Sequence, residues 1–267
     1  MNILVCIKQV PDTTEIKIDP VTNTLIRAGV PSIVNPFDGY ALEAAARIKD
    51  KDPDTKIVVM SMGPEQAKAA LKECIGIAAD KAYLISDRAF GGSDTLATSY
   101  IISNAVKKIE ELEGKFDAIF CGKQAIDGDT AQVGPERAEH LDYPQVTYAL
   151  EAEAAENTLT IKKETEDGVE MIEIQTPCVI TYTKPSFDPR YPTIKRKMAA
   201  NRAEIPTLTA ADLSTIDLTQ AGLKGSPTKV KKTFVPQKKT GGIKIQEETN
   251  EDSAKKLFEL LSDAKVL

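Results

Sequence analysis

Up to about residue 145 the chain alternates short, continuously apolar runs with longer stretches in which apolar residues recur every three to four positions. Ile3-Leu-Val-Cys-Ile7, Ile57-Val-Val-Met60, Ala82-Tyr-Leu-Ile85 and Phe116-Asp-Ala-Ile-Phe-Cys121 predict strands. Residues 41–48, 66–77 and 96–112 predict the helices between them. The apolar runs do not alternate with polar residues, so each strand is expected to be covered on both faces, as in a parallel sheet with helices on both sides. Asn35-Pro36 and Gly63-Pro64 put proline at or near a first helical position. Ser93 or Asp94 stands where a cap for the next helix is needed.

The rhythm then changes. Residues 158–163 and 169–174 alternate with period two around Asp167-Gly168, which predicts an antiparallel hairpin within 158–174, and residues 177–182 return as a buried strand. From Lys184 to about Gly242 the chain is rich in proline and weak in periodicity. So long an irregular stretch is expected to be an arm that gains order on something else, the alternative being that it folds back on its own domain. Residues 251–267 close the chain as an amphipathic helix with Ala254, Leu257, Phe258 and Leu261 on its apolar face. The expected organisation is an α/β domain over residues 1–200, including the hairpin and a loop at 184–200, followed by an arm and helix over 201–267.

The strand ending at Cys121 runs into Gly122, Lys123, Gln124, Ala125, Ile126, Asp127, Gly128, Asp129, Thr130, Ala131, Gln132 and Val133, a polar turn expected to open a helix near Thr130 to Glu136. Unpaired N–H groups at a helix start favour an anion, and open parallel sheets bind ligands at the carboxyl ends of their strands. The spacing matches neither a dinucleotide fingerprint nor a P-loop, so the residues alone leave a phosphate site and an ordinary turn as equal readings. A chain of 267 residues with 28% charged residues and a net charge of −6 gives no reason to expect nucleic acid. The six lysines from Lys224 to Lys239 have only Phe234 among them as an aromatic, which suits solvent or a protein contact better than RNA. Nothing near Met1 resembles a secretion signal and no run is long enough for a membrane span, so a cytoplasmic protein is expected. Four scattered cysteines and a single histidine, His140, make a metal centre or a Ser-His-Asp triad poor fits.

Several segments together resemble one family, the β subunits of electron transfer flavoproteins. They are Lys8-Gln-Val-Pro-Asp-Thr13, Asn35-Pro36-Phe37-Asp38 running into Ala41-Leu-Glu43, Ser61-Met62-Gly63-Pro64, the Gly122 to Pro135 turn, and Pro189-Arg190-Tyr191-Pro192-Thr193. The resemblance implies a nucleotide-binding fold of the adenine-nucleotide α-hydrolase type, with a C-terminal arm that wraps a partner α subunit. It also implies an adenosine pocket at Cys6, Asn35 to Asp38 and Met62, with phosphates on Gly122 to Val133. Asp127 or Asp129 is expected to cap backbone N–H groups or to bond a ribityl hydroxyl, because either would repel phosphate.

Two cofactors are open under that resemblance. Ordinary members hold AMP in this subunit. Members of the electron-bifurcating branch hold a second FAD that takes a hydride from NADH and divides the electrons between a low-potential acceptor such as ferredoxin and the α-subunit FAD. The Gly91, Gly92, Ser93, Asp94, Thr95 and Thr98 turn favours FAD, since it would flank the same crevice with hydroxyls and bare backbone. The alternative is that these residues merely cap and turn. Arg190, Tyr191 and Ile194 resemble the family's recognition loop for an acyl-CoA or similar dehydrogenase, with Ile194 as its apolar anchor. A stand-alone adenine-nucleotide sensor without redox function is a third reading, which the long arm argues against.

Overall fold

The computed structural model describes residues 1–12, 31–231 and 241–267. Thr13 and the lysines from Lys232 to Lys239, singled out above, lie outside the described residues. The chain divides into two compact units, one of residues 1–17 and 25–231 and one of residues 18–24 and 232–267.

The first unit is the α/β body. In chain order it comprises β1 (Asn2–Cys6), β2 (Gln9–Pro11), β3 (Ser32–Val34), α1 (Pro36–Lys51), β4 (Lys56–Met62), α2 (Lys68–Ile77), β5 (Lys81–Ile85) and α3 (Thr95–Glu113). It continues with β6 (Ala118–Gly122), α4 (Val133–Leu141), β7 (Gln145–Ala154), β8 (Thr158–Thr165), β9 (Gly168–Gln175), β10 (Cys178–Tyr182), α5 (Ile194–Arg202), β11 (Thr207–Leu208) and α6 (Gly222–Gly225). Nine strands form one sheet in the order β11-β5-β4-β1-β6-β10-β7-β8-β9, while β2 and β3 pair separately. Pairing is parallel from β11 through β7 and antiparallel for β7 with β8 and β8 with β9.

Each face of the parallel region has its own core. Ile3 and Val5 of β1 pack with Leu42, Ala45 and Leu71 of α1 and α2. Leu4, between them in sequence, packs with Ile101, Val106 and Ala138 of α3 and α4 on the other face. That two-sided burial is why the strand sequences read as unbroken apolar runs. The chain moves outward from β1 to β4 and β5 on one side, then crosses to β6 on the other. The direction of winding therefore reverses between β1 and β6, where open α/β sheets form their ligand crevice.

Two expectations shift and one is narrowed. The predicted hairpin is the outer part of a three-stranded extension that begins with β7, whose bulge near Tyr148 (φ 59°) hides its period-two pattern. The helix after the polar turn starts at Val133, inside the expected Thr130 to Glu136 window; Asp129 and Ala131 take left-handed backbone angles (φ 52° and 54°) that a right-handed helix cannot include, which sets its start after them. The compact body also continues past 200 to Lys231. Its proline-rich tail contributes β11 to the sheet edge and buries Leu208, Leu213 and Ala221 beside α3's residues, so a boundary at 200/201 cuts through a packed segment.

The described part of the second unit carries α7 (Asn250–Asp263), capped by Thr249, whose hydroxyl accepts from the Asp252 N–H at 3.1 Å. Leu257 and Phe258 stay exposed on it, at 48% and 62%.

At the opposite end of the sheet from the crevice, the nearly buried Glu113 carboxylate takes Lys56 (2.6 Å), Lys81 (2.9 Å) and the Tyr83 hydroxyl. Burial pushes its pKa up, but these donors outweigh burial and bring it from the ordinary 4.5 down to about 2. A depressed carboxylate stabilises the fold fully above its unfolded value and loses that contribution as pH falls towards the folded one. Urea melts of the wild type should therefore lose stability between about pH 4.5 and pH 2, and Glu113→Gln should be less stable at pH 7 and flatter across that window.

Candidate functional site

The reversal point is organised by the first turn of α1. Asp38 is buried, and its two carboxylate oxygens accept from the Lys8 N–H just past β1 (2.7 Å) and the Gly122 N–H at the end of β6 (2.9 Å). Burial raises its pKa to about 6, against the pull of those two hydrogen bonds. A side chain at Gly122 is sterically excluded, since a Cβ there would lie 2.5 Å from the Phe37 Cβ and 2.6 Å from the Asp38 Oδ1. Asn35 works on the next segment, donating to the Gln124 carbonyl (2.8 Å) and accepting from the Ile126 N–H (3.2 Å). Lys8 reaches Asp127 at 2.6 Å. The polar turn is thus held from below by residues just past β1 and at the entry of α1.

What the turn presents is backbone. The Asp129 N–H is taken up by the Ala125 carbonyl (3.0 Å), and the Asp129 carboxylate accepts from the Gln124 amide (2.7 Å). Asp129 therefore folds the loop instead of capping N–H groups. The N–H groups of Thr130, Ala131 and Gln132 donate to nothing among the described residues. They precede the N-terminus of α4, where the helix dipole adds to their attraction for an anion. Ala131 takes left-handed backbone angles (φ 54°), which a residue with a Cβ adopts only at a steric cost.

These elements enclose a cavity of about 500 Å³, within the range of small-molecule and cofactor sites. Of the residues expected there, Cys6, Asn35, Asp38, Met62, Gly92, Ser93, Asp94, Thr95, Thr98, Gly122, Lys123, Gln124, Ala125, Gly128, Asp129, Thr130, Ala131 and Val133 line it. Pro36, Phe37, Gly91, Ile126, Asp127 and Gln132 are not on its wall. Pro36 opens α1, Phe37 packs under Gly122, and Gln132 meets the Thr95 hydroxyl at 3.4 Å.

The Gly91 to Thr98 turn does more structural work than the sequence suggests. Ser93 donates to the Phe90 carbonyl (2.8 Å) and accepts from the Gly222 N–H (3.0 Å). Asp94 caps α3 through the Ala97 N–H (3.1 Å) and also takes the Thr228 N–H and hydroxyl (3.0 and 2.8 Å). Gly92, at φ 75°, lies under Leu223, which a Cβ would meet at 2.6 Å. The returning 222–228 segment occupies much of the hydrogen-bonding capacity expected to face a ligand.

Sequence reasoning missed Ile7, Lys8, Phe90, Ile102, Cys121, Gly134 and Arg137 on the cavity wall. Most are apolar or glycine residues that read as core. Arg137 is the consequential omission, because it is buried while carrying a charge. The available signal was its position four residues after Val133, on the helix face that must turn toward the sheet.

The expected recognition loop divides in two. The partly exposed Arg190 guanidinium binds Glu43 (2.8 Å) and Asp50 (2.6 Å) of α1 and so anchors the loop. Tyr191 and Ile194 face solvent, at 92% and 82% exposure. Arg47 stacks on Phe187 at 3.7 Å and stiffens the same anchor.

Among the described residues no helix is long and apolar enough to cross a membrane, and no cluster of His, Cys, Asp and Glu could hold a metal ion.

A model of the electron transfer flavoprotein domain matches residues 22–213. The chain is 53% identical over 256 residues to the electron transfer flavoprotein subunit beta of Megasphaera elsdenii, covering 95% of this chain and 94% of that one. It is 46% identical, over the full length of both, to the caffeyl-CoA reductase-Etf complex subunit CarD of Acetobacterium woodii. Protein FixA of Azotobacter vinelandii is 44% identical over 257 residues, which is 94% of this chain and 90% of the other. With those matches spanning the sheet, the clamped turn and the cavity, the chain belongs to the electron transfer flavoprotein family as one of its β subunits.

Proposed function

We propose that this β subunit holds FAD in its cavity and works in an electron-bifurcating complex with an α subunit, NADH as donor, a low-potential acceptor such as ferredoxin, and an acyl-CoA or similar dehydrogenase. The observation that carries the reading is the extent of the cavity. It does not stop at the phosphate-type turn but continues to the start of α3, past Phe90, Thr95, Thr98 and Ile102. A nucleoside monophosphate needs only the first part; a dinucleotide carrying a flat ring uses both.

The residues fit such a group. Thr130 to Gln132 offer free N–H groups and α4 its N-terminus for phosphates. Cys6 and Met62 offer apolar contact near the strand ends, and Thr98 a hydroxyl on the far wall. When bound, FAD supplies the hydride-accepting and one-electron chemistry, which no side chain provides. The protein's part is to position it, exclude water and set its electrostatic surroundings.

Serving a dehydrogenase rests on the loop beside α5. The Arg190 struts hold its backbone to α1 while Tyr191, Ile194 and Met198 stand out as an exposed apolar tip. Pre-ordering of this kind lowers the entropic cost of docking. The apolar face of α7 is the corresponding candidate for contact with the α subunit.

A second reading, a conventional carrier with AMP in this cavity, is favoured by one specific finding. Ser93 and Asp94 are already spent on Phe90, Gly222 and Thr228, so they have less to offer a second ring system.

Acid extraction and chromatography of the purified α/β heterodimer should release two FAD per heterodimer, and NADH should bleach the flavin absorbance; one FAD with one AMP would establish the second reading instead. Ile194→Asp should weaken binding of the partner dehydrogenase by roughly thirtyfold, about 2 kcal/mol, without changing flavin content, as read by titration calorimetry.

A further inference from the structure

Arg137 lies one turn inside α4, is 1% exposed, and yet borders the main cavity. One terminal nitrogen donates to the Cys6 Sγ at 2.7 Å and the other to the Cys121 Sγ at 3.1 Å, while its Nε has no partner. Sulfur is a weak acceptor. Both sulfurs are also neutral, since burial pushes the Cys6 thiol up to about 12 and raises that of Cys121 as well. A guanidinium stays charged at any working pH. Asp38 is close enough to act on this charge electrostatically, but its oxygens are committed to the N–H groups of Lys8 and Gly122.

The result is a buried cation without a hydrogen-bonded carboxylate, an arrangement proteins avoid unless something else supplies the negative charge. Pinning α4 to the sheet does not require it. A methionine of similar length would fill the same space and leave no charge to desolvate. The place is also informative, because the guanidinium sits between the tips of β1 and β6, where the winding of the sheet reverses, and on the same helix whose start carries the free N–H groups of the turn. Two cationic features of α4 therefore converge on one cavity.

We propose that Arg137 is the positioning residue that answers the cofactor's negative charge, donating from its guanidinium to an anionic oxygen of the nucleotide bound in this cavity. The assignment rests on the nucleotide reading above. The anionic oxygen has two sources, a phosphate or the reduced, negatively charged flavin ring.

The test uses the α/β heterodimer, stripped of cofactor, with Arg137→Met, Arg137→Gln and Arg137→Lys, titrated with AMP and with FAD and then poised electrochemically. If phosphate is the source, the Met and Gln variants bind both AMP and FAD at least about tenfold more weakly. If the ring is the source, AMP binding is unchanged and the two-electron flavin potential drops, by about 30 mV for each tenfold loss of preference for the reduced form. In either case the Lys variant, which keeps the charge, recovers most of the effect. Arg137→Gln retains donors toward the thiols, so it carries the test if the Met variant does not fold. A wild type that binds AMP or FAD, with variants that match it in affinity and potential, overturns the assignment and leaves the nucleotide reading standing. A wild type that binds neither overturns both.

Discussion

One carboxylate fixes the relation between the sheet and everything that surrounds the cavity. Asp38 bonds the N–H groups at the ends of β1 and β6 simultaneously, and hydrogen bonds to an ionised acceptor of this kind are worth about 1.5–3 kcal/mol each. That it is raised to about 6 shows that burying it costs more than those bonds return. Its value is therefore geometric. It locks the two strands whose divergence creates the crevice, and it does so from the first turn of α1, whose proline and Asn35 set the same helix start against the polar turn. Gly122 completes the constraint by leaving no side chain where α1 must approach.

From that clamp the cavity grows in two directions. On the α1 side, Lys8, Asn35 and Asp38 shape a turn whose own carboxylates are engaged by Lys8 and Gln124, leaving backbone donors facing the cavity. On the α3 side, the 222–228 segment folds back onto Ser93 and Asp94 and stiffens the opposite wall. Around the turn and the start of α3, the charged side chains Lys8, Asp38, Asp94 and Asp129 are engaged as struts, while backbone and hydroxyl groups remain along the cavity wall. The same division appears at the loop beside α5, where Arg190 is structural and its apolar neighbours are presented.

The parallel sheet was legible because two-sided burial writes itself as continuous apolar runs, and the turn after β6 because glycines and a helix start are local features. Long-range partnerships were not legible. Nothing near Ser93 in the sequence announces Gly222, 129 residues away, and the pairing of β11 with β5 joins Leu208 to Ile85 across the whole body. The contacts of Arg190 and Arg137 were illegible for a common reason: their acceptors, Glu43 and Asp50 in one case and two cysteine sulfurs in the other, come from distant elements. The α4 start was legible only as the Thr130 to Glu136 window, because the left-handed angles at Asp129 and Ala131 that fix it at Val133 are not written in their residue types.

The sulfurs at the cavity floor have a chemical consequence. With burial pushing the Cys6 thiol up to about 12, the thiolate, the form that attacks electrophiles and enters oxidation, is strongly disfavoured at pH 7. Cys121 is shifted in the same direction. The protein thus places two sulfur atoms on the wall of the cavity while burial disfavours the thiolate of both: they fill space as polarisable bulk, and the burial that put them there also suppresses their nucleophilic chemistry.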